Sequence, residues 1–344
     1  MEIGISTFVE TTPDDNGQMM SHAQRINEVL EEIKLADKVG VDVYAIGEHH
    51  RKDFAGSAPA TILAAAASVT KNIRLSSAVT VLSSEDPIRV YQEYATIDAI
   101  SHGRAEVMVG RGSFTESFPL FGFEMHQYEE LFEEKLEILL AAQNNEVISW
   151  EGNHRLPIKP TGIYPRAVQE KLPVWIGTGG NTESTIRAAS LGLPITYAII
   201  GGRPVNFKPL VELYQKVATA SGHDVSKLGI ASHSHGFIAK TDAIAKEKFY
   251  EPTRKVMTQL GKERGWAPYN EMAYEYGLEP EGVLYVGAPR TVADKIIKLH
   301  KEVGIGRFLL HMPLGTMPHE DVMAAIELLG TEVIPMVREG IIKD

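Results

Sequence analysis

The chain has no cysteine among its 344 residues. That excludes disulfides, thiolate metal sites and a cysteine nucleophile. It has no apolar run approaching the ~20 residues that span a bilayer. Positive charge is scarce: Lys and Arg number 34 against 45 Asp and Glu, a formal net charge of −11. That balance argues against nucleic acid or an anionic membrane as the main partner. The opening MEIGISTFVE lacks the basic start and long apolar run of a signal peptide, so the expected location is the cytoplasm. No internal repeat, coiled coil or low-complexity tract is present.

What is present suffices for a large core, with 44% hydrophobic and 23% charged residues. The chain is organised around residues 74–113. Residues 74–81 are rich in β-branched side chains. Asp86 then reads as an N-cap with Pro87 at the first helical position. Val90, Tyr94, Ile97 and Ile100 follow at helical spacing, and Gly103 closes the helix. Residues 104–110 resume a strand ending in Gly110-Arg111-Gly112. The economical reading is a parallel βαβ unit that delivers Arg111 to the C-terminal end of a strand, where α/β folds bind ligands.

The same alternation runs through the chain. Strands are expected over 3–9, 43–47, 74–81, 104–110, 174–177, 194–200, 229–239 and 307–312, with helical patterns between them. A loop is expected over 10–18, where Pro, Asp, Asn and Gly crowd together. Eight evenly spaced strand–helix pairs predict one α/β domain over 1–344, a (β/α)8 TIM barrel with insertions. The insertions are residues 146–172, read as a hairpin, and 261–282, read as an excursion or lid.

A barrel gathers the residues after each strand on one rim: Glu48, His49 and His50, then Ser83 and Ser84, Arg111, the run 178–184 and His311. The run Thr178-Gly179-Gly180-Asn181-Thr182-Glu183-Ser184 passes from strand into helix. Its glycines let backbone N–H groups approach an anion, and Asn181 and Ser184 add donors. Arg111 would complete a monophosphate site. The same residues also suit a bare turn in which Asn181 only caps the helix. The loop is neither Gly-x-Gly-x-x-Gly nor a P-loop, so it implies no dinucleotide or triphosphate. His49 beside His50 offers acid–base chemistry near neutral pH. Glu48, His49, His50, His233 and His235 would alternatively serve a metal-dependent barrel hydrolase, although the chain has no His-Glu-x-x-His. No metal site is assigned.

Gly47-Glu48-His49-His50, the block 78–104, Gly110-Arg111-Gly112, Gly192-Leu193-Pro194 and the block 286–296 followed by 304–313 resemble the bacterial luciferase-like flavin monooxygenases. The resemblance covers most of the chain in the right order. It implies a (β/α)8 barrel, usually a homodimer, that binds FMN at its C-terminal rim, the reduced flavin coming from a separate NAD(P)H:flavin reductase. It places Arg111 on the FMN phosphate, with Gly179, Gly180, Asn181 and Ser184 around it. Ala78 and Val79 fall behind the isoalloxazine ring, and His49 becomes the acid–base residue. Coenzyme F420 is the alternative cofactor, since related barrels use it. Light-emitting members have a cysteine where this chain has Gly110 and an acidic residue where it has Gly180, which argues against luciferase activity. The expected reaction is oxidation of a small organic substrate by reduced flavin and O2.

Overall fold

The computed structural model describes residues 1–11, 17–112, 114–315 and 317–342. Eight parallel strands carry the fold: β1 (Glu2–Thr7), β2 (Val43–Ile46), β3 (Arg74–Ser77), β4 (Val107–Gly110), β5 (Val174–Thr178), β6 (Ile195–Ala198), β7 (Ile230–Ile238) and β8 (Arg307–His311). Each pairs with the next except β3 with β4, and β8 returns to β1 with Ser6 opposite His311. Between β3 and β4 the ring is completed by Thr80–Val81, which continues β3 beyond the cis peptide bond Ala78–Val79 and pairs with Val109 and Gly110.

The strands are buried on both faces, as parallel sheets require, and β2, β4, β5 and β6 are accordingly mostly apolar, whereas β1, β3 and β7 carry buried polar side chains. Their outer faces pack on helices. Their inner faces meet in a compact cluster of Val43, Ala45, Met108, Trp175, Ala231 and Leu309. At the N-terminal end Arg307 pairs with Glu106 and Glu2 and lies 4.2 Å over the Trp175 ring. This buried ionic plug leaves the opposite rim as the open end.

The helical punctuation follows the sequence. Asp86 accepts from the Ile88 and Arg89 backbone N–H groups at the start of the helix Pro87–Ser101. That helix ends with His102 and Gly103 both in the left-handed region, at φ 57 and 87°. The insertion at 146–172 forms the antiparallel hairpin Val147–Trp150 with Ile158–Gly162. Three features lie beyond the sequence reading. The helix Asp242–Arg264 runs past residue 260, into the expected excursion. Tyr285–Gly287 adds a short strand beside the end of β7. A terminal helix, Ile334–Ile342, packs on the helix Pro289–Val303. Of the loop expected over 10–18, residues 12–16 lie outside the described residues. No helix among the described residues is long and apolar enough to cross a membrane.

Candidate active site

A cavity of about 440 Å³ opens at the C-terminal ends of the strands. Its base is made from small or flat groups. Ala78 and Val79 meet Met108, Gly110 and Gly177 there. A Cβ on Gly177 would come within 2.4 Å of Val79, and one on Gly110 within 2.9 Å, so glycine is what lets these strands close on the Ala78–Val79 segment. The outer wall is aromatic and aliphatic: Phe8, Phe54, Phe114, Trp266, Met257 and Leu260.

One end of the cavity is polar. Arg111 follows β4 and lines the cavity beside Gly179. Its Nη2 reaches Ser184 Oγ at 3.4 Å and its Nη1 reaches Tyr128 Oη at 3.1 Å. Ser184 stands in the first turn of the helix Thr182–Ser190, whose N-terminus carries a partial positive charge. Asn181 caps that helix through Oδ1, which accepts from Ser184 N at 2.8 Å, so its side chain serves the turn and not the cavity. Gly180, at φ 101°, packs on Phe207, whereas a Cβ on Gly179 would meet nothing within 4 Å. Glu129, which no motif singled out, pairs with Arg111 and lies 3.8 Å from Arg187. A carboxylate therefore already occupies the arginine, as an anion would.

The histidines of this end of the barrel occupy three settings. His50 Nε2 bonds Glu48 Oε1 at 2.8 Å, and Glu48 Oε2 accepts from Val81 N at 2.8 Å. This pair braces the strand beyond the cis peptide. His233, His235 and His311 cluster across β7 and β8, with ring centroids 5.0 and 5.1 Å apart. The ligand set of the hydrolase reading is thus split. Among the described residues no group of three or more His, Asp or Glu is placed to hold a metal ion.

His49 is buried among Phe8, Phe54 and Phe114, its ring 4.4, 4.7 and 4.9 Å from theirs. Those three rings line the cavity and His49 lies behind them. Its Nε2 has no hydrogen-bond partner. Burial first, then the neighbouring His311, His50 and Arg51, pushes its pKa down to about 3. The ring is therefore neutral across the ordinary working range. Two cavity-lining groups also hold buried, unpartnered polar atoms: Thr196 Oγ1 and His235 Nδ1. Sequence reasoning passed over Thr196, Tyr128, Glu129 and Glu10. Thr196 alone carried a signal, as a polar residue inside an otherwise apolar strand.

The helix Asp242–Arg264 closes the outer side. Arg51 grips Glu263 with two bonds of 2.6 and 2.7 Å and stacks 4.7 Å over Phe114. Arg264 lies over Trp266 at 5.2 Å. The lid expected at 261–282 therefore begins as the end of a helix, and Val256, Met257 and Gln259 also face the cavity.

Comparison with known proteins gives this geometry a family. The model of the luciferase-like monooxygenases matches residues 1–305. The alkanal monooxygenase alpha chain of Aliivibrio fischeri is 25% identical over 213 residues, which cover 61% of this chain and 58% of that one. The FMN complex of the oxygenating constituent of 3,6-diketocamphane monooxygenase from Pseudomonas putida superposes with a TM-score of 0.79 at 21% identity, covering 98% of both chains. An F420-dependent secondary alcohol dehydrogenase superposes at 0.74 with 20% identity, covering 98% of this chain and 99% of that one. At such identities the two structures show a shared fold. On the family match across residues 1–305, this chain belongs to the luciferase-like monooxygenases.

Proposed function

We propose that this protein is an FMN-dependent monooxygenase that uses reduced flavin and O2 to oxidise a small organic substrate. The carrying observation is the polar end of the cavity. Arg111, Ser184, the Asn181-capped helix N-terminus and the open face of Gly179 converge there, next to a flat apolar base. That donor set fits one phosphomonoester: a guanidinium, a hydroxyl and helix N–H groups. The base of Ala78, Val79, Gly110 and Gly177 fits a planar ring. Buried, unpartnered Thr196 Oγ1 offers that ring's polar edge a hydrogen bond.

Arg111 and Ser184 would hold the phosphate, with Gly179 leaving room for the chain that joins it to the ring. Bound reduced flavin supplies the electrons that activate oxygen. The aromatic wall and the end of the helix Asp242–Arg264 exclude water from that chemistry. His49, to which the resemblance gives acid–base work, supplies a neutral imidazole beside the wall. We read the electrons as arriving with flavin reduced by a separate reductase, and the working form as a cytoplasmic homodimer.

Anaerobic titration with reduced FMN tests the reading. Saturable binding, followed on exposure to air by oxygen consumption coupled to substrate oxidation, is expected. No binding of reduced FMN, with binding of reduced F420 in a parallel titration, would assign the site to the deazaflavin instead.

A further inference from the structure

Behind the cavity wall, four side chains form one hydrogen-bonded chain. His233 Nε2 lies 2.9 Å from Ser6 Oγ, Ser6 Oγ lies 3.4 Å from His311 Nδ1, and His311 Nε2 lies 3.0 Å from Glu10 Oε1. Ser6 and His311 have no exposed surface. His233 and Glu10, the two ends, line the cavity. Three neighbouring strands supply three of the members: Ser6 on β1, His311 on β8 and His233 on β7.

Glu10 reaches this position through a strained turn. Val9 sits in the left-handed region at φ 58°, an outlier for a β-branched residue. Thr7 Oγ1 accepts from Val9 N at 3.0 Å and donates to Glu10 Oε2 at 3.3 Å. Phe54 bridges to Glu10 from the loop after β2. The surrounding structure thus holds a costly backbone conformation whose effect is to set a carboxylate against His311.

With Glu10 as the carboxylate and His311 as the neutral imidazole, hydrogen-bond valence sets the proton order. A carboxylate at Glu10 only accepts, so His311 carries its proton on Nε2 and accepts at Nδ1 from the Ser6 hydroxyl. Ser6 Oγ then accepts from His233 Nε2–H, which leaves His233 Nδ1 as the acceptor of a cavity-lining residue. We infer that His233, Ser6, His311 and Glu10 form the proton relay of this site, with His233 Nδ1 exchanging protons with the reacting group. This inference rests on the flavin reading above.

In the uptake step a proton from the reacting group bonds to His233 Nδ1. The His233 Nε2–H bond breaks as that proton joins Ser6 Oγ. The Ser6 proton moves to His311 Nδ1, and His311 becomes an imidazolium facing Glu10. No electrons are transferred, and the reverse sequence returns the proton. The other titratable groups around the chain are His235, 5.1 Å from His311, His49 on the far side of Phe8, and Arg25, whose charge acts on Glu10. Burial, followed by the charge His311 carries once protonated, pushes the pKa of His235 down to about 3, so His235 stays neutral. Burial, then His311 and His235, depresses His233 in the same direction. A ring that holds a proton poorly passes it on to the ring beside the carboxylate.

Two variants and two readouts test the relay. Ser6→Ala cuts the chain in its middle, and Glu10→Gln keeps a hydrogen bond while removing the counter-charge. In protein labelled with ¹⁵N at the imidazoles, and without cofactor, the wild type should show His311 and His233 both as Nε2–H tautomers. Ser6→Ala should shift the ring signals of both. With chemically reduced FMN in a single turnover, each variant should slow substrate oxidation by about 10²-fold or more, while reduced-FMN affinity stays within about twofold. The wild-type solvent isotope effect should show several protons in motion, and that signature should vanish in Ser6→Ala. Ring signals unmoved by Ser6→Ala, or turnover and isotope effect unchanged in both variants, would overturn the relay. Failure to bind reduced FMN would overturn the flavin reading instead, and the ring signals would still report on the hydrogen-bonded chain.

Discussion

The phosphate site yields the sharpest prediction, because flavin exists with and without the group that Arg111 is proposed to hold. Arg111→Ala removes a guanidinium that now touches Tyr128, Ser184 and Glu129. A hydrogen bond to a charged group contributes about 1.5–3 kcal/mol. Two such donors would reach the phosphate, but its arrival would also break the Glu129 pair, which is half-exposed and weak. The net loss should be about 2–3 kcal/mol, or roughly 30- to 150-fold in Kd at 1.4 kcal/mol per decade. Riboflavin lacks the phosphate, so its weaker binding should change by less than about twofold. The assay is anaerobic calorimetry of wild type and variant with reduced FMN and reduced riboflavin. An equal loss for both ligands would mean that Arg111 shapes the ring site or the fold. Unchanged FMN affinity would place the phosphate elsewhere.

Four further outcomes follow from the same geometry. Glu129→Gln removes the carboxylate that competes for Arg111, so FMN should bind roughly 2- to 5-fold more tightly with a weaker salt dependence; looser binding would make Glu129 part of the site. His49→Ala should lower turnover by about 10²–10⁴ if the ring handles a proton, and a loss under threefold would leave it a packing role. His49 also makes stability pH-dependent. Its folded pKa, about 3, lies below the unfolded value near 6.5, so the stability present above pH 6.5 falls as pH drops towards 3. At pH 4.5 that loss is about 2–3 kcal/mol, and urea titrations of wild type and His49→Gln at pH 7 and 4.5 should differ by that amount; parallel losses in both would refute it. Glu263→Ala releases the Arg51 grip on the helix end. For a part-exposed pair this is about 0.5–1 kcal/mol, so amide exchange over residues 256–266 should quicken roughly 2- to 5-fold with no change in the barrel strands. Unchanged exchange there would mean that packing on Phe114 alone holds the helix.

The barrel was legible because its physics is local and periodic. Apolar runs of strand length, each followed by a helical stripe, specify parallel strands buried on both faces. Asp86 with Pro87, Asn181, and Thr241 before Asp242 announce helix starts through side chains that can bond only nearby backbone. The strand-to-helix turn at 178–184 and the arginine after β4 were legible for the same reason. Fixed topology puts the ends of parallel strands on one rim, so Arg111 and Ser184 meet although 73 residues separate them.

Tertiary structure decided what periodicity does not encode. The sequence places His49, His50 and His311 at strand ends on one rim and His233 and His235 within the strand 229–239, without saying which side chains each of them meets. Packing directs His50 to Glu48, encloses His49 in phenylalanines and aligns His233 and His311 through Ser6. Those outcomes depend on side-chain direction across neighbouring strands and on a left-handed turn at Val9, a residue type that gives no warning of it. Glu129 was indistinguishable from the other glutamates on its helix until the fold set it against Arg111. The sequence by itself thus determined the barrel, its rim and the residue types there, because hydrophobic period and capping act over a few residues. Only the tertiary structure decided which of them share a proton or an anion, because contacts across a barrel are set by the closure of the whole sheet.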